Sequence, residues 1–276
     1  MIKKILVPTD GSENALVGAR YAVALAKQYG AQLHGLHVVD VKLLEGPFLR
    51  DISASLGTAP FVNYQNVIAS LLEERGEAAL SVLSGVCERA HVAITTGIET
   101  GRVVSCIAEK SALKDLIVMG QRGEHGEWLE GLIGSTTQAV IRRAQCPVLV
   151  TERETAKIAR FFVPYDGSVH AKKALQIGAD IGNTWGVPFD VVVVGGRHGD
   201  SLIDEARSYL QAHEVEVDYV TRGGDPSEEI VEYARGRSVD LIVMGAYGHT
   251  KVRELVVGST TAYTVNHAPC PVLLTR

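Results

Sequence analysis

The sequence predicts an α/β fold made of two tandem, doubly wound, Rossmann-like parallel-sheet domains. Three observations carry this. Short apolar, β-branched runs alternate with segments of helical period. The alternation advances in steps of about 30 residues, the length of a right-handed βαβ crossover. The whole pattern is also written twice.

In the first copy the strands are read at Ile5 to Val7, Leu33 to Val39, Val92 to Thr95, Leu116 to Met119 and Val148 to Thr151. They are runs with little polar alternation, as expected of strands buried on both faces. Between the first two lies Asn14 to Tyr29, with Leu16, Ala19, Val23 and Ala26 on one face and Gly30 as the stop. The second copy repeats the landmarks in the same order. Lys4-Ile-Leu-Val-Pro-Thr-Asp-Gly-Ser12 returns as Arg160-Phe-Phe-Val-Pro-Tyr-Asp-Gly-Ser168. Asp115-Leu-Ile-Val-Met-Gly120 returns unchanged from Asp240 to Gly245, Gly134-Ser-Thr-Thr137 from Gly258 to Thr261, and Cys146-Pro-Val-Leu149 from Cys270 to Leu273. The domains are set at 1–154 and 155–276, with the joint in Thr151-Glu-Arg-Glu-Thr155. After its second strand, copy one carries an extra stretch at about 43–63, a surface insertion or a lid beside the first pocket. Copy two passes from Val194 through Gly195 to Gly199 straight into a helix.

Composition narrows the function classes. Hydrophobic residues at 46% and charged residues at 21% exclude a disordered chain. A net charge of -5 argues against a general nucleic-acid binder, which needs a concentrated basic face. No apolar run approaches the ~20 residues that span a bilayer. The opening MIKKILVPTD is too short in apolar residues for a signal peptide, so the expected location is cytoplasmic, away from membranes. The four cysteines form no CxxC pair and no ligand spacing with histidine, and Cys146 and Cys270 read as small core residues.

Ligands of open parallel sheets bind beyond the carboxyl ends of the strands, where strand order reverses. Gly245 and Gly120 stand at such ends, and glycine there is expected to let a ligand approach the backbone. Gly258-Ser259-Thr260 and Gly134-Ser135-Thr136 then open a helix, read over Ala262 to His267 in copy two. A helix start supplies unpaired N–H groups, the positive end of a dipole and hydroxyl donors, which suits phosphate. A plain glycine turn with a Ser or Thr cap is the competing reading of a single block.

No Walker A or GxGxxG loop is present. The spacing Gly245, two residues, Gly248, nine residues, Gly258-Ser259 resembles the ATP-binding motif of the universal stress protein family. So do V-P-x-D-G-S, the D-L-I-V-M-G strand and the C-P-V-L strand, over essentially the whole chain. The resemblance implies ATP as the ligand, with Mg2+ as an optional companion. In copy two it assigns Pro164, Tyr165 and Asp166 to the nucleoside, Val194 to the adenine wall, and Gly245, Gly248, Gly258, Ser259 and Thr260 to the phosphates. The corresponding residues of copy one are Pro8, Thr9, Asp10, Val38, Gly120, Gly123, Gly134, Ser135 and Thr136. Both aspartates are equally well read as turn residues that lead into the next helix. It further implies that the terminal strands CPVLVT and CPVLLT pair across a two-fold axis, as an internal pseudo-dimer or a homo-oligomer.

Copy one departs from the pattern, with ten residues between Gly123 and Gly134 and an acidic loop carrying Glu124, Glu127 and Glu130. Copy two carries Lys251 and Arg253 there, so it is the preferred site for phosphate. No catalytic constellation is assembled and no metal site is read. His34 and His37 point to opposite faces of one strand, and His125 and His249 are loop residues within reach of phosphate. The expectation is a nucleotide-binding regulatory module, with weak ATP hydrolysis at most. The alternatives are a binder of another small ligand, with Phe48 and Phe61 of the insertion over an apolar pocket, and a scaffold that needs no ligand.

Overall fold

The computed structural model describes residues 2–45, 61–123, 133–151, 157–195, 199–246 and 258–276. The first half runs β1 (Lys4–Pro8), α1 (Glu13–Tyr29), β2 (Gln32–Asp40), α2 (Val41–Glu45), α3 (Phe61–Arg89), β3 (Ile94–Gly101), α4 (Val103–Ser111), β4 (Leu116–Gly120), α5 (Ser135–Arg143) and β5 (Val148–Thr151). The second runs β6 (Phe161–Pro164), α6 (Val169–Trp185), β7 (Phe189–Val194), α7 (Gly199–Leu210), β8 (Val217–Arg222), α8 (Pro226–Gly236), β9 (Leu241–Gly245), α9 (Ser259–His267) and β10 (Val272–Thr275).

The strands form one ten-stranded sheet in the order β3-β2-β1-β4-β5-β10-β9-β6-β7-β8. Each half is a parallel five-stranded unit, and among the described residues the only antiparallel pair is β5 with β10. The doubly wound fold and its internal pseudo-dimer are therefore as expected. Its core lies on both faces of the sheet. One layer joins Val7, Leu33 and Leu149 to Val163, Phe189 and Leu273 beneath α1, α3, α6 and α7. The other joins Leu6, Ile117 and Val150 to Phe162, Ile242 and Leu274 beneath α4, α5, α8 and α9. Tyr29 and Trp185, the last residues of α1 and α6, meet with ring centroids 5.7 Å apart.

Three details correct the reading from sequence. The apolar pattern puts the third strand at Val92 to Thr95, but β3 occupies Ile94–Gly101 and pairs with β2 from Leu33↔Ile94 to Asp40↔Gly101. It is an edge strand, so its polar TTGIETG stretch needs only one partner and carries no apolar signature. The helix expected over Ala262 to His267 starts at Ser259, with Gly258 as its N-cap. The Ser-Thr-Thr run is thus the first turn itself, not the approach to it. The insertion at 43–63 partly lengthens a helix: α3 has 29 residues where α7 has 12. Residues 46–60, including Phe48, lie outside the described residues, as does the side chain of Phe61. The joint at 152–156 lies outside them too.

Candidate functional site

Each half opens a crevice at the carboxyl ends of its strands, where the order turns from β2-β1 to β4-β5 and from β7-β6 to β9-β10. Each cavity has a volume of about 310 Å3.

The turn after the first strand is built identically in both halves. The Ser12 N–H donates to Asp10 Oδ1 at 3.0 Å, and the Ser168 N–H donates to Asp166 Oδ1 at 2.9 Å. Ser12 and Ser168 then cap α1 and α6, their hydroxyls accepting from the Ala15 and Ala171 N–H groups at 3.2 Å. Both aspartates therefore serve the turn, and both also line the cavities.

The glycines that close β4 and β9 have a packing reason that the sequence does not show. A Cβ on Gly120 would stand 2.7 Å from the Asn14 carbonyl oxygen, and one on Gly245 would stand 2.9 Å from the His170 carbonyl carbon. Glycine is needed there because the first turns of α1 and α6 press on the strand ends, and both glycines also line the cavities. Gly123 leaves room for the Asp10 carboxylate, 2.5 Å from its Cβ position.

The opposite wall is a helix start. Gly134 and Gly258 are N-caps with no side-chain hydrogen bond, so the first N–H groups of α5 and α9 have no capping side chain. The third hydroxyl of each run turns back to the sheet. Thr137 Oγ1 donates to the Gly120 carbonyl at 3.1 Å, and Thr261 Oγ1 to the Ala246 carbonyl at 3.1 Å. Both threonines are buried, whereas Ser135, Thr136 and Ser259 are exposed.

Pro164, Tyr165, Asp166, Val194, Gly245, Gly258, Ser259 and Thr260 line one cavity, and Gly248 lies outside the described residues. Pro8, Thr9, Asp10, Val38, Gly120, Gly123 and Thr136 line the other. Gly134 and Ser135 sit at the adjoining helix start but not in that wall. His125, His249 and the charged loop residues Glu124, Glu127, Glu130, Lys251 and Arg253 lie outside the described residues.

The cavities are equal in volume and unlike in lining. The second adds Val192, Pro226, Ile230 and Met244, and Tyr165 is almost wholly buried, its phenol pushed up by burial and by the neighbouring Glu205. Pro226 follows Asp225, the N-cap of α8, whose carboxylate is held below the usual range by the Ser227 hydroxyl and N–H. The first adds His37, Asp40, Leu43, Leu72, Arg75, Ile107 and Arg122. His37 Nδ1 lies 2.9 Å from the Thr9 carbonyl oxygen. Leu43 comes from α2, and Leu72 and Arg75 from the part of α3 by which it exceeds α7. Neither piece has a counterpart among the described residues of copy two, so the repeat carries no signal for these residues. A helical period does not tell which residue will overhang a strand end either. Among the described residues no group of three His, Cys, Asp or Glu side chains is arranged to hold a metal ion. No helix among them is long and apolar enough to cross a membrane.

Two parallel five-stranded units joined edge to edge, each with a strand-end crevice, define a tandem Rossmann-like α/β protein. The model of the universal stress protein family matches residues 1–152 and 195–276, and the chain belongs to that family. The universal stress protein Slr1230 of Synechocystis sp. is 28% identical over 287 residues, covering 100% of both chains. The universal stress protein MJ0531 of Methanocaldococcus jannaschii is 35% identical over 158 residues, covering 55% of this chain and 84% of its own. The crystal structure of a universal stress protein from Archaeoglobus fulgidus shares the fold, with a TM-score of 0.81 at 21% identity, covering 99% of this chain and 98% of that one.

Proposed function

We propose that the chain is an ATP-binding regulatory module of the stress-response type and not a catalyst, and that its preferred nucleotide site is the crevice of the second half. One observation carries this reading. At the end of β9 an apolar wall (Val192, Val194, Ile230) faces a helix start whose Ser259 and Thr260 N–H groups have no capping side chain. The apolar wall suits a flat purine, and the helix start suits phosphate. The N–H donors and dipole of α9 are already fixed by the Thr261 hydroxyl on the Ala246 carbonyl. Lys251 and Arg253, which precede Gly258 in sequence, supply the countercharge in this reading.

The first crevice has the same helix start, and Arg75 and Arg122 line it. It is the second, altered nucleotide site. A non-nucleotide anion with an apolar body is the other reading for this crevice alone. It is favoured by the wall of Leu36, Val38, Leu43, Leu72 and Ile107.

Nucleotide released from the purified, denatured protein, before and after loading with ATP and magnesium, tests the proposal. About one or two ATP per chain is expected by mass action at ligand concentrations above Kd. Gly258→Val with Ser259→Ala should remove the second-half share from a folded protein. No nucleotide after loading overturns the reading.

A further inference from the structure

Helix α9 has two ends with different duties. Its first turn, Ser259 to Thr261, is the wall of the second crevice. Its last turn reaches across the pseudo-two-fold axis to the other half. There the Gln121 side-chain amide donates to the Val265 carbonyl at 2.7 Å, and the Ile133 N–H donates to Asn266 Oδ1 at 2.6 Å. The Val265 carbonyl is one of the last four of the helix and can only accept, which fixes the Gln121 amide with its nitrogen towards α9.

Gln121 and Ile133 are the two sides of the stem of the first glycine loop. Gln121 follows Gly120 directly and is 1% exposed. Its own N–H donates to the Thr151 carbonyl at 2.7 Å, and its carbonyl accepts the Gly134 N–H at 3.0 Å. The chain thus leaves the strand at Gln121, returns at Ile133 and Gly134, and closes on itself at that point. Both sides of the closure are bonded to α9. Arg122 and Gly123, which line the first crevice, follow at once.

Among the described residues the second copy has different side chains at these places. Ala246 occupies the place of Gln121 in the second copy, and its N–H makes the matching bond to the Thr275 carbonyl at 2.8 Å. Alanine has no amide to send across the axis. Arg142 occupies the place of Asn266, and its carbonyl is taken by Arg276 Nη1 at 2.6 Å.

We propose that the second half supplies part of the first ligand site. Asn266 and the Val265 carbonyl are positioning groups for Gln121 and Ile133, beside Arg122 and Gly123 of the first crevice, and α9 couples the second crevice to the first through them. Ser259 and Asn266 are seven residues apart, about 10 Å along one continuous helix. A ligand that orders the first turn of α9 therefore acts on a rigid body whose other end holds the stem of the first loop. The inference rests on the nucleotide reading above for the identity of the ligand, but not for the coupling itself.

Two measurements decide it. On a background where Gly258→Val and Ser259→Ala have removed the second site, ATP with magnesium is titrated calorimetrically. Adding Asn266→Ala or Gln121→Ala should weaken the remaining site about fivefold, the loss of one hydrogen bond. Asn266→Asp, which keeps the acceptor oxygen, should restore it. Unchanged affinity in Asn266→Ala and Gln121→Ala overturns the proposal. If the wild-type chain takes up no ATP, the nucleotide reading fails separately, and hydrogen exchange of the ligand-free protein decides the coupling. Thr261→Val, at the far end of α9, should speed exchange of the Ile133 amide while leaving that of Leu33 on β2 unchanged. Equal Ile133 exchange in variant and wild type overturns the coupling.

Discussion

Leu149 and Leu273 lie directly opposite each other in the antiparallel β5–β10 pair, and they are the same residue of the two copies. Val150 faces Val272 and Val148 faces Leu274 on either side, so the axis relating the halves passes between the two leucines. Both are almost fully buried, and both belong to the core layer under α1 and α6. The seam is thus hydrophobic core rather than a surface contact.

Leu149→Ala and Leu273→Ala should therefore each lower stability by about 2–5 kcal/mol, the usual loss for a buried leucine. Their equivalent environments predict similar values. Urea unfolding measures this, and a loss near zero at either position would show that the seam carries no packing energy.

The packing role of the strand-end glycines separates from any ligand role in the unliganded protein. Gly120→Ala and Gly245→Ala set a methyl group against helix backbone that cannot move aside alone. Each should cost about 1–3 kcal/mol as an overpacked site. If thermal unfolding without nucleotide is unaltered, the close approach of α1 and α6 is not what requires glycine.

Arg75 reaches the first crevice from α3, which is extended only in copy one. Arg75→Ala should weaken anion binding there by about tenfold, the scale of one charge-assisted hydrogen bond. Binding at the second crevice should be unaffected. Titration at two salt concentrations checks this, because the effect should shrink as ionic strength rises.

The cysteines make a pH prediction. Burial pushes the Cys146 and Cys270 thiols from an ordinary 9.0 up to about 12, with Asp115 and Asp240 adding to the effect. A raised thiol pKa means that the folded state keeps a proton the unfolded chain releases. Their contribution is fully present below pH 9 and is lost as pH rises through 9 towards 12. Stability should fall across that window, and less steeply in the Cys146→Ala, Cys270→Ala double variant. A thiol reagent at mildly alkaline pH should leave both unlabelled until the protein unfolds.

The repeat, the strands at β1, β4 and β5, and the glycine-led helix starts are all legible in the amino-acid sequence. Continuous apolar runs and identical internal matches such as DLIVMG state local burial directly, and duplication states that the same unit is built twice. Even the pairing of the terminal strands can be expected, from their short apolar edges and from the family resemblance.

Other facts belong to the tertiary structure alone. The extent of β3 is set by its ladder with β2, since TTGIETG has no apolar period of its own. The reason for glycine at Gly120 and Gly245 is the close approach of Asn14 and His170, residues far away in sequence. The reach of Arg75 into the first crevice depends on where a lengthened helix crosses the sheet. The bonds from Gln121 to Val265 and from Ile133 to Asn266 exist only because the antiparallel seam brings α9 beside the end of β4 and the start of α5. Sequence periodicity records which face of an element is buried. Which residues meet across the axis is decided by register and crossing geometry, to which no local pattern corresponds.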